Sequence, residues 1–357
     1  MVLMFNKRYS RIIAAASTLA FTLGLSACSD STGSSGDSPS KHDGKVKVAT
    51  SFYPIQWLTE QIGGDNVEVT SVTPAGTEPH DYEISTKQIA ELNKTNALFY
   101  VKGFQPSLDD AVGSLDNVTT VDLTKNVNLV HHDGLIEDDD HDHGGDKHGG
   151  DKKGDKKDET NDEKSHDHDG KHDHDHGDDK DGHDDHDAKD PHFWLDPSRM
   201  KLAANAISES LSKQDPAHSK IYKKNNEALQ KKLDNLDKSF QTGTAACERR
   251  AIVTTHTAFG YLADRYKLTQ VGLSGIDPEA EPSPATLAKV KKFVQENGTT
   301  TIFTEELISG KPAKTLAKET NATTAVLSPL ESKPEKGDYE AAMKDNLTAI
   351  QKALSCK

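Results

Sequence analysis

From Lys45 onward, short apolar runs alternate with stretches whose apolar residues recur at helical spacing. KVKVATS (45–51) predicts a strand, and YPIQWLTEQIGG (53–64) predicts a helix opened by Pro54 and closed by Gly63 and Gly64. VEVTSVTP (67–74) is a strand, STKQIAELNKT (85–95) a helix with Ser85 as N-cap, NALFYVKG (96–103) a strand, and VTTVDLT (118–124) another. A polar stretch follows, and a helix is expected from about Pro197 to Lys213. Asp215 and Pro216 then open a long helix to about 241, in which Tyr222, Leu229, Leu233, Leu236 and Phe240 share one face. So narrow an apolar stripe suits a helix bridging two lobes. The alternation then resumes, with strands at 251–255, 268–273, 299–304 and 323–329. Helices are expected near 257–266, 284–297, 311–320 and 338–354. Strands alternating with helices imply parallel sheets. The expected fold is α/β, with two (β/α) lobes joined by a long helix. A ligand is then expected between the lobes, at the carboxyl ends of the strands.

Residues 131–190 interrupt this pattern. They are low-complexity and polar, carry no periodicity, and are expected to be disordered. They also change the meaning of the net charge. The 357 residues sum to −15, but this tract alone holds 24 Asp and Glu against 9 Lys. The remainder is balanced at 34 acids and 34 bases, so the acidity is local. No basic stripe or aromatic platform is present, which argues against a nucleic-acid partner.

The chain opens with a basic stretch, NKRYSR, and an apolar run, IIAAASTLAFTLGL, too short to span a bilayer comfortably. The run ends in Leu25-Ser26-Ala27-Cys28, which resembles a bacterial lipobox. Residues 1–27 are expected to be a signal peptide, Cys28 the lipidated terminus, and the Ser/Gly-rich stretch to 44 a tether. The expected domains are an N-terminal lobe (45–196) carrying the tract, a linking helical region (197–245) and a C-terminal lobe (246–357). Outside the cytoplasm, Cys247 and Cys356 are expected to form a disulfide.

Outside the tract there are five histidines: His42 in the tether, His218 in the first turn of the linking helix, and His80, His192 and His256. The last three sit at strand ends or loops, where an α/β fold places ligands. Any one of them fits an ordinary hydrogen-bonded loop histidine. Three of them beside a metal-concentrating tract point to a Zn²⁺ site, because imidazole nitrogen suits that ion. A fourth ligand is expected at a strand end of the second lobe, where Glu305 and Glu306 lie; acids are also common at helix starts.

The motifs FYPIQWL, PAGTEPHDYE, DPHFWLDP, THTAFGYLADRYKL, EPSPATLAKVKKFV and IFTEE occur in that order. Together, over about 45–355, they resemble the cluster A-I solute-binding proteins of zinc ABC transporters. The resemblance implies two lobes joined by a rigid helix, with metal held by His80, His192, His256 and a carboxylate. The family's Phe-x-Glu pattern falls on Phe303-Thr304-Glu305, so Glu305 rather than Glu306 is the implied match. Manganese members of the broader family replace one histidine by a carboxylate, so three histidines favour zinc over manganese or iron. Asp190, Asp196, Glu78 and Asp81 are candidates to orient the ligand imidazoles. Zinc-binding members also carry a His-rich loop at this point of the chain.

The tract's twelve histidines are His131, His132, His141, His143, His148, His166, His168, His172, His174, His176, His183 and His186. They are expected to bind zinc weakly and to feed or sense it, not to form the tight site, because a disordered segment must first be ordered to hold a fixed geometry. The leading expectation is a monomeric, lipid-anchored zinc receptor, on a Gram-positive surface or a periplasmic face, that delivers its ion to a membrane permease. The competing classes are a zinc hydrolase, against which stands the absence of HExxH and Gly-x-Ser-x-Gly motifs, and a surface metal buffer or adhesin built mainly on the tract.

Overall fold

The computed structural model describes residues 44–132, 134 and 189–357. The signal segment, Cys28, most of the tether with His42, and ten of the tract's twelve histidines lie outside the described residues.

Each lobe is built on a four-stranded parallel sheet. In the first, β1 (Val46–Thr50), β2 (Val67–Ser71), β3 (Ala97–Tyr100) and β4 (Thr119–Asp122) take the order β2-β1-β3-β4. In the second, β5 (Ala251–Thr254), β6 (Thr269–Gly272), β7 (Thr301–Thr304) and β8 (Thr323–Val326) repeat it as β6-β5-β7-β8. The strand order reverses beside β1 and beside β5. Such reversals open a crevice at the carboxyl ends of the strands, where these folds bind ligands.

The connecting helices start where the sequence supplies caps. In α1 (Tyr53–Gly63), Pro54 sits in the first turn. Ser85 closes a capping box with Gln88 at the start of α2 (Thr86–Leu92), and Ser283 accepts from the Thr286 amide at the start of α8 (Pro284–Glu296). Two short helices, α3 (Pro106–Val112) and α4 (Thr124–Val127), were not expected. They are too short to show a helical period.

α5 (Pro197–Gln214) and α6 (Ser219–Gly243) run across both lobes, and the five-residue stripe expected of the linking helix is buried on α6. α6 begins later than expected. Asp215 caps no helix there; its carboxylate accepts from His218 Nδ1 and the Tyr222 hydroxyl, both at 2.6 Å, across a 3-10 turn, Pro216–His218. α7 (Gly260–Tyr266) also starts late, leaving 255–259 as a loop. The chain ends with α9 (Lys311–Thr320) and α10 (Tyr339–Leu354).

The two lobes share a core. One cluster of buried apolar residues runs from Val48 and Phe99 through α1, α5 and α6 to Phe303, Met343 and Leu354. Trp194 lies at its centre: its ring meets Phe52 at 4.6 Å and Phe104 at 4.9 Å, and its Nε1 donates to Pro329 O at 2.7 Å. Tyr339 Oη donates to the Trp194 carbonyl at 2.5 Å. The interface is therefore packed like a domain interior, not like a mobile contact between domains. At the far end, Cys247 and Cys356 are disulfide-bonded, tying the C-terminus to the end of α6.

Candidate metal centre

Four chain segments converge at the carboxyl ends of the strands. The loop after β2 brings His80. It is held from below by Gln105, whose Nε2 donates to Thr73 Oγ1 at 2.7 Å and to Pro79 O at 3.1 Å. Glu78 accepts from the His80 amide at 2.9 Å and from the Asp81 amide at 3.2 Å, and the Phe104 ring packs edge-on against the imidazole at 4.5 Å. His192 precedes a 3-10 turn, Phe193–Leu195, that buries three apolar side chains and so fixes the backbone. His256 follows β5, its carbonyl accepting from Thr254 Oγ1 at 2.7 Å. Glu331 follows β8 after Leu330, a buried residue with φ of 59°. That left-handed turn costs a non-glycine residue roughly 1–2 kcal/mol, which the buried Leu330 side chain offsets by packing in the core.

His80, His192, His256 and Glu331 each offer a ligand atom, all within 4.8 Å of one another. His80 Nε2 and His192 Nε2 are 3.3 Å apart, and Glu331 Oε1 lies 3.4 Å from each of them and 3.6 Å from His256 Nε2. A tetrahedral zinc ion with bonds of about 2.0–2.1 Å holds neighbouring donors about 3.3–3.4 Å apart. Four of the six donor separations are thus close to those of donors around an ion. His256 Nε2 and Glu331 Oε1 are buried without a hydrogen-bond partner, a costly state that a cation at the centre would relieve. The donor set of three imidazole nitrogens and one carboxylate suits zinc.

The far side of each buried imidazole meets a carboxylate. Asp190 Oδ1 accepts from His192 Nδ1 at 2.7 Å and from the His192 amide at 2.9 Å. Glu305 lies 2.7 Å from His256 Nδ1, an ion-pair contact out of line for a hydrogen bond, and accepts from the Thr255 hydroxyl. Carboxylates so placed fix the ring and strengthen it as a ligand. They also set its charge. Burial alone would lower the pKa of His256, but the charge and contact of Glu305, then those of Glu331, push it up to about 10. For His192 burial again acts downward, and Asp190 and then Glu331 overcome it, leaving the pKa raised. Burial would raise Glu331, yet the surrounding histidines hold it well below the ordinary carboxylate range. Without metal, these carboxylates favour the protonated form of the two buried imidazoles, His192 and His256; a bound ion displaces those protons.

The three expected histidines therefore come together, but the fourth member of the group is Glu331, not Glu305. Glu305 comes off β7 on the Nδ1 side of His256, facing away from the centre, and Glu306 lines an adjoining cavity of about 570 Å³ that Glu331 also borders. Burial raises the pKa of Glu306. Of the expected orienting acids, Asp190 meets an imidazole. Glu78 accepts from the His80 and Asp81 amides, so Asp81 takes part through its backbone, and Asp196 caps α5 by accepting from the Ser198 amide. His132, expected among the tract's weak ligands, has both ring nitrogens engaged by carboxylates, Asp190 at 2.7 Å and Asp264 at 2.9 Å. The one available signal for Glu331 was its place: like His80 and His256, it is a ligating residue type just beyond a strand.

Two α/β lobes with a buried three-histidine, one-carboxylate group where they meet define the class of two-lobed solute-binding proteins. The family described as zinc-uptake complex component A, periplasmic (ZnuA), matches residues 48–353, and the chain belongs to it. The zinc-binding lipoprotein AdcA of Streptococcus pneumoniae is 33% identical over 318 residues, 87% of this chain and 56% of AdcA. The high-affinity zinc uptake system protein ZnuA of Bacillus subtilis is 34% identical over 342 residues, 93% of this chain and 94% of that one. The chain thus spans little more than half the length of its streptococcal relatives and nearly all of the Bacillus one. Among solved structures, the Zn(II)-bound ZnuA-like domain of Streptococcus pneumoniae AdcA superposes with a TM-score of 0.64 at 31% identity, over 87% of this chain and 99% of that one.

Proposed function

We propose that this chain is an extracytoplasmic zinc receptor that binds Zn²⁺ through His80, His192, His256 and Glu331 and delivers it to an ABC permease. The observation that carries this reading is the spacing of the four donors, with two of them buried and unpartnered at the centre. Zinc is the cargo. Four protein donors complete a tetrahedron and leave no position for water, whereas a hydrolytic zinc keeps one open. The arrangement therefore supports transport over hydrolysis.

The donors come from both sides of the crevice. His80 belongs to the first lobe, His256 and Glu331 to the second, and His192 to the segment leading into α5. The His80 side chain is 11% exposed while the other three are 3% or less, so the ion enters and leaves on the His80 side. A permease that draws the His80 loop from the second lobe would open the coordination sphere. The names of the relatives, a zinc-binding lipoprotein and a zinc uptake protein, support the same reading. The lipobox supports anchoring through Cys28, and the His/Asp tract acts as an accessory zinc collector.

X-ray absorption at the zinc edge of the 1:1 complex tests the site: three imidazole nitrogens and one carboxylate oxygen are expected, and sulfur or a water-dominated shell would refute it. Growth of the parent bacterium under zinc limitation tests the role. Deletion should impair growth, with rescue by the wild-type chain and not by His256→Ala.

A further inference from the structure

His132 stands at the root of the tract, and the fold has made room for it. Its ring lies edge-on against Tyr261 at 4.6 Å, over the first turn of α7. A Cβ on Gly260 would fall 2.5 Å from the His132 Cγ and Nδ1, so only glycine admits the imidazole there. The strand of chain on either side is pinned. The Asp190 amide donates to Val130 O at 2.9 Å, joining the start of the tract to its end, and the Gly272 amide donates to Gly134 O at 2.7 Å. The Tyr261 hydroxyl donates to the Asp190 carbonyl at 2.7 Å.

From His132 a line of contacts leads to the metal centre. His132 Nε2 meets Asp264, whose side chain is 71% exposed; His132 Nδ1 meets Asp190 Oδ2 at 2.7 Å; Asp190 Oδ1 meets His192 Nδ1 at 2.7 Å. The Asp190 side chain is wholly buried, so each of its oxygens needs a donor. His192 serves one and His132 serves the other. Removing His132 would leave a buried carboxylate oxygen unpartnered, and the carboxylate would turn or draw in water to satisfy it. Either change releases the His192 ring from its fixed orientation.

We propose that His132 is a positioning residue of the metal centre, holding His192 in its ligating orientation through Asp190. It thereby ties the mouth of the His/Asp tract to a ligand of the site. The inference rests on the zinc-receptor reading above and adds a residue that touches no metal. Outer partners of metal-bound histidines typically change affinity by about 10–100-fold, which sets the expected effect.

The test compares wild type, His132→Phe and His132→Asn in the full soluble chain. Phenylalanine keeps a ring packed on Tyr261 and removes both hydrogen bonds; asparagine restores a donor toward Asp190. Zinc release to a chelator is timed, and the visible bands of the Co²⁺-loaded proteins report coordination geometry, which a general loss of stability would not alter. The expected result is zinc release about 10–100-fold faster in His132→Phe with shifted cobalt bands, and recovery of most of both in His132→Asn. Wild-type release and wild-type cobalt bands in His132→Phe would overturn the proposal and leave the receptor reading standing. Absence of a tight site in the wild type would overturn both.

Discussion

Glu331 Oε1 lies 3.4 Å from His192 Nε2, whereas Glu305, one strand nearer in the sheet, meets His256 from behind at Nδ1. The two glutamates leave adjacent strands at the same end of the sheet, yet one faces the centre and the other supports a ligand.

That difference predicts unequal mutants. Glu331→Ala removes a donor and the one negative charge among the ligands, leaving three neutral imidazoles around a dication, so zinc affinity should fall on the order of 10³-fold, ~4 kcal/mol. Glu305→Gln keeps the contact with His256 but weakens it, and about 10–100-fold is expected. Competition against a chelator measures both; a larger loss from Glu305→Gln would reverse the two assignments.

Protons and zinc compete for the same nitrogens. The His256 pKa is raised to about 10, so its contribution to the metal-free fold is full below the unfolded imidazole value of about 6.5 and is lost as pH rises through about 10; His192 is raised as well, and its contribution has the same sign. Glu331 has the opposite sign: its contribution is present above the ordinary carboxylate value of 4.5 and is lost as pH falls through its depressed one. The metal-free protein should therefore melt lower as pH climbs toward 10, while the increase in melting temperature produced by zinc should grow. Zinc binding near pH 7.5 should release protons, seen as a dependence of the calorimetric heat on buffer ionisation enthalpy. Equal zinc affinity at about pH 7.5 and about pH 5.5 would contradict a site of three histidines.

The Cys247–Cys356 bond closes a loop with a sequence separation of 109 at the end of α6 remote from the site. In the chain-entropy model such a crosslink is worth roughly 4–5 kcal/mol. Cys247→Ser with Cys356→Ser should lower the melting temperature by several degrees and leave zinc affinity within about threefold. A large loss of affinity would mean that the far end of α6 governs the centre.

Because Trp194 joins both lobes, through Phe52 and Phe104 on one side and Pro329 and Tyr339 on the other, zinc loading should not swing them apart. Small-angle scattering should give radii of gyration for the metal-free and zinc-loaded forms that agree within about 1 Å. A larger compaction on loading would point to a hinge that the shared core does not allow.

Much of this was legible in the residues. Strand runs such as ALFY and TIFT, with Ser85 as a cap, located both sheets and most helices, since local pattern and tertiary burial agree there. The α6 stripe likewise marked its buried face. His80, His192 and His256 stood out because so few histidines lie outside the tract. Glu331 did not, because glutamate is common and SPLESK holds no glycine to announce the left-handed turn that aims it. Glu305 fits the motif, and a motif does not say which side of an imidazole a carboxylate will meet. His132 was hidden in the tract, where composition made every histidine look alike. Its docking depends on Gly260 and Asp190, distant in sequence.

The most direct test is a competitive zinc titration of the soluble chain from Lys45, with residues 135–188 present and with them replaced by a short Gly/Ser linker. One tight site of equal affinity is expected in both proteins, abolished by His256→Ala, with additional weak sites in the intact chain alone. Loss of the tight site on removing the tract would place it there and contradict a centre built from His80, His192, His256 and Glu331.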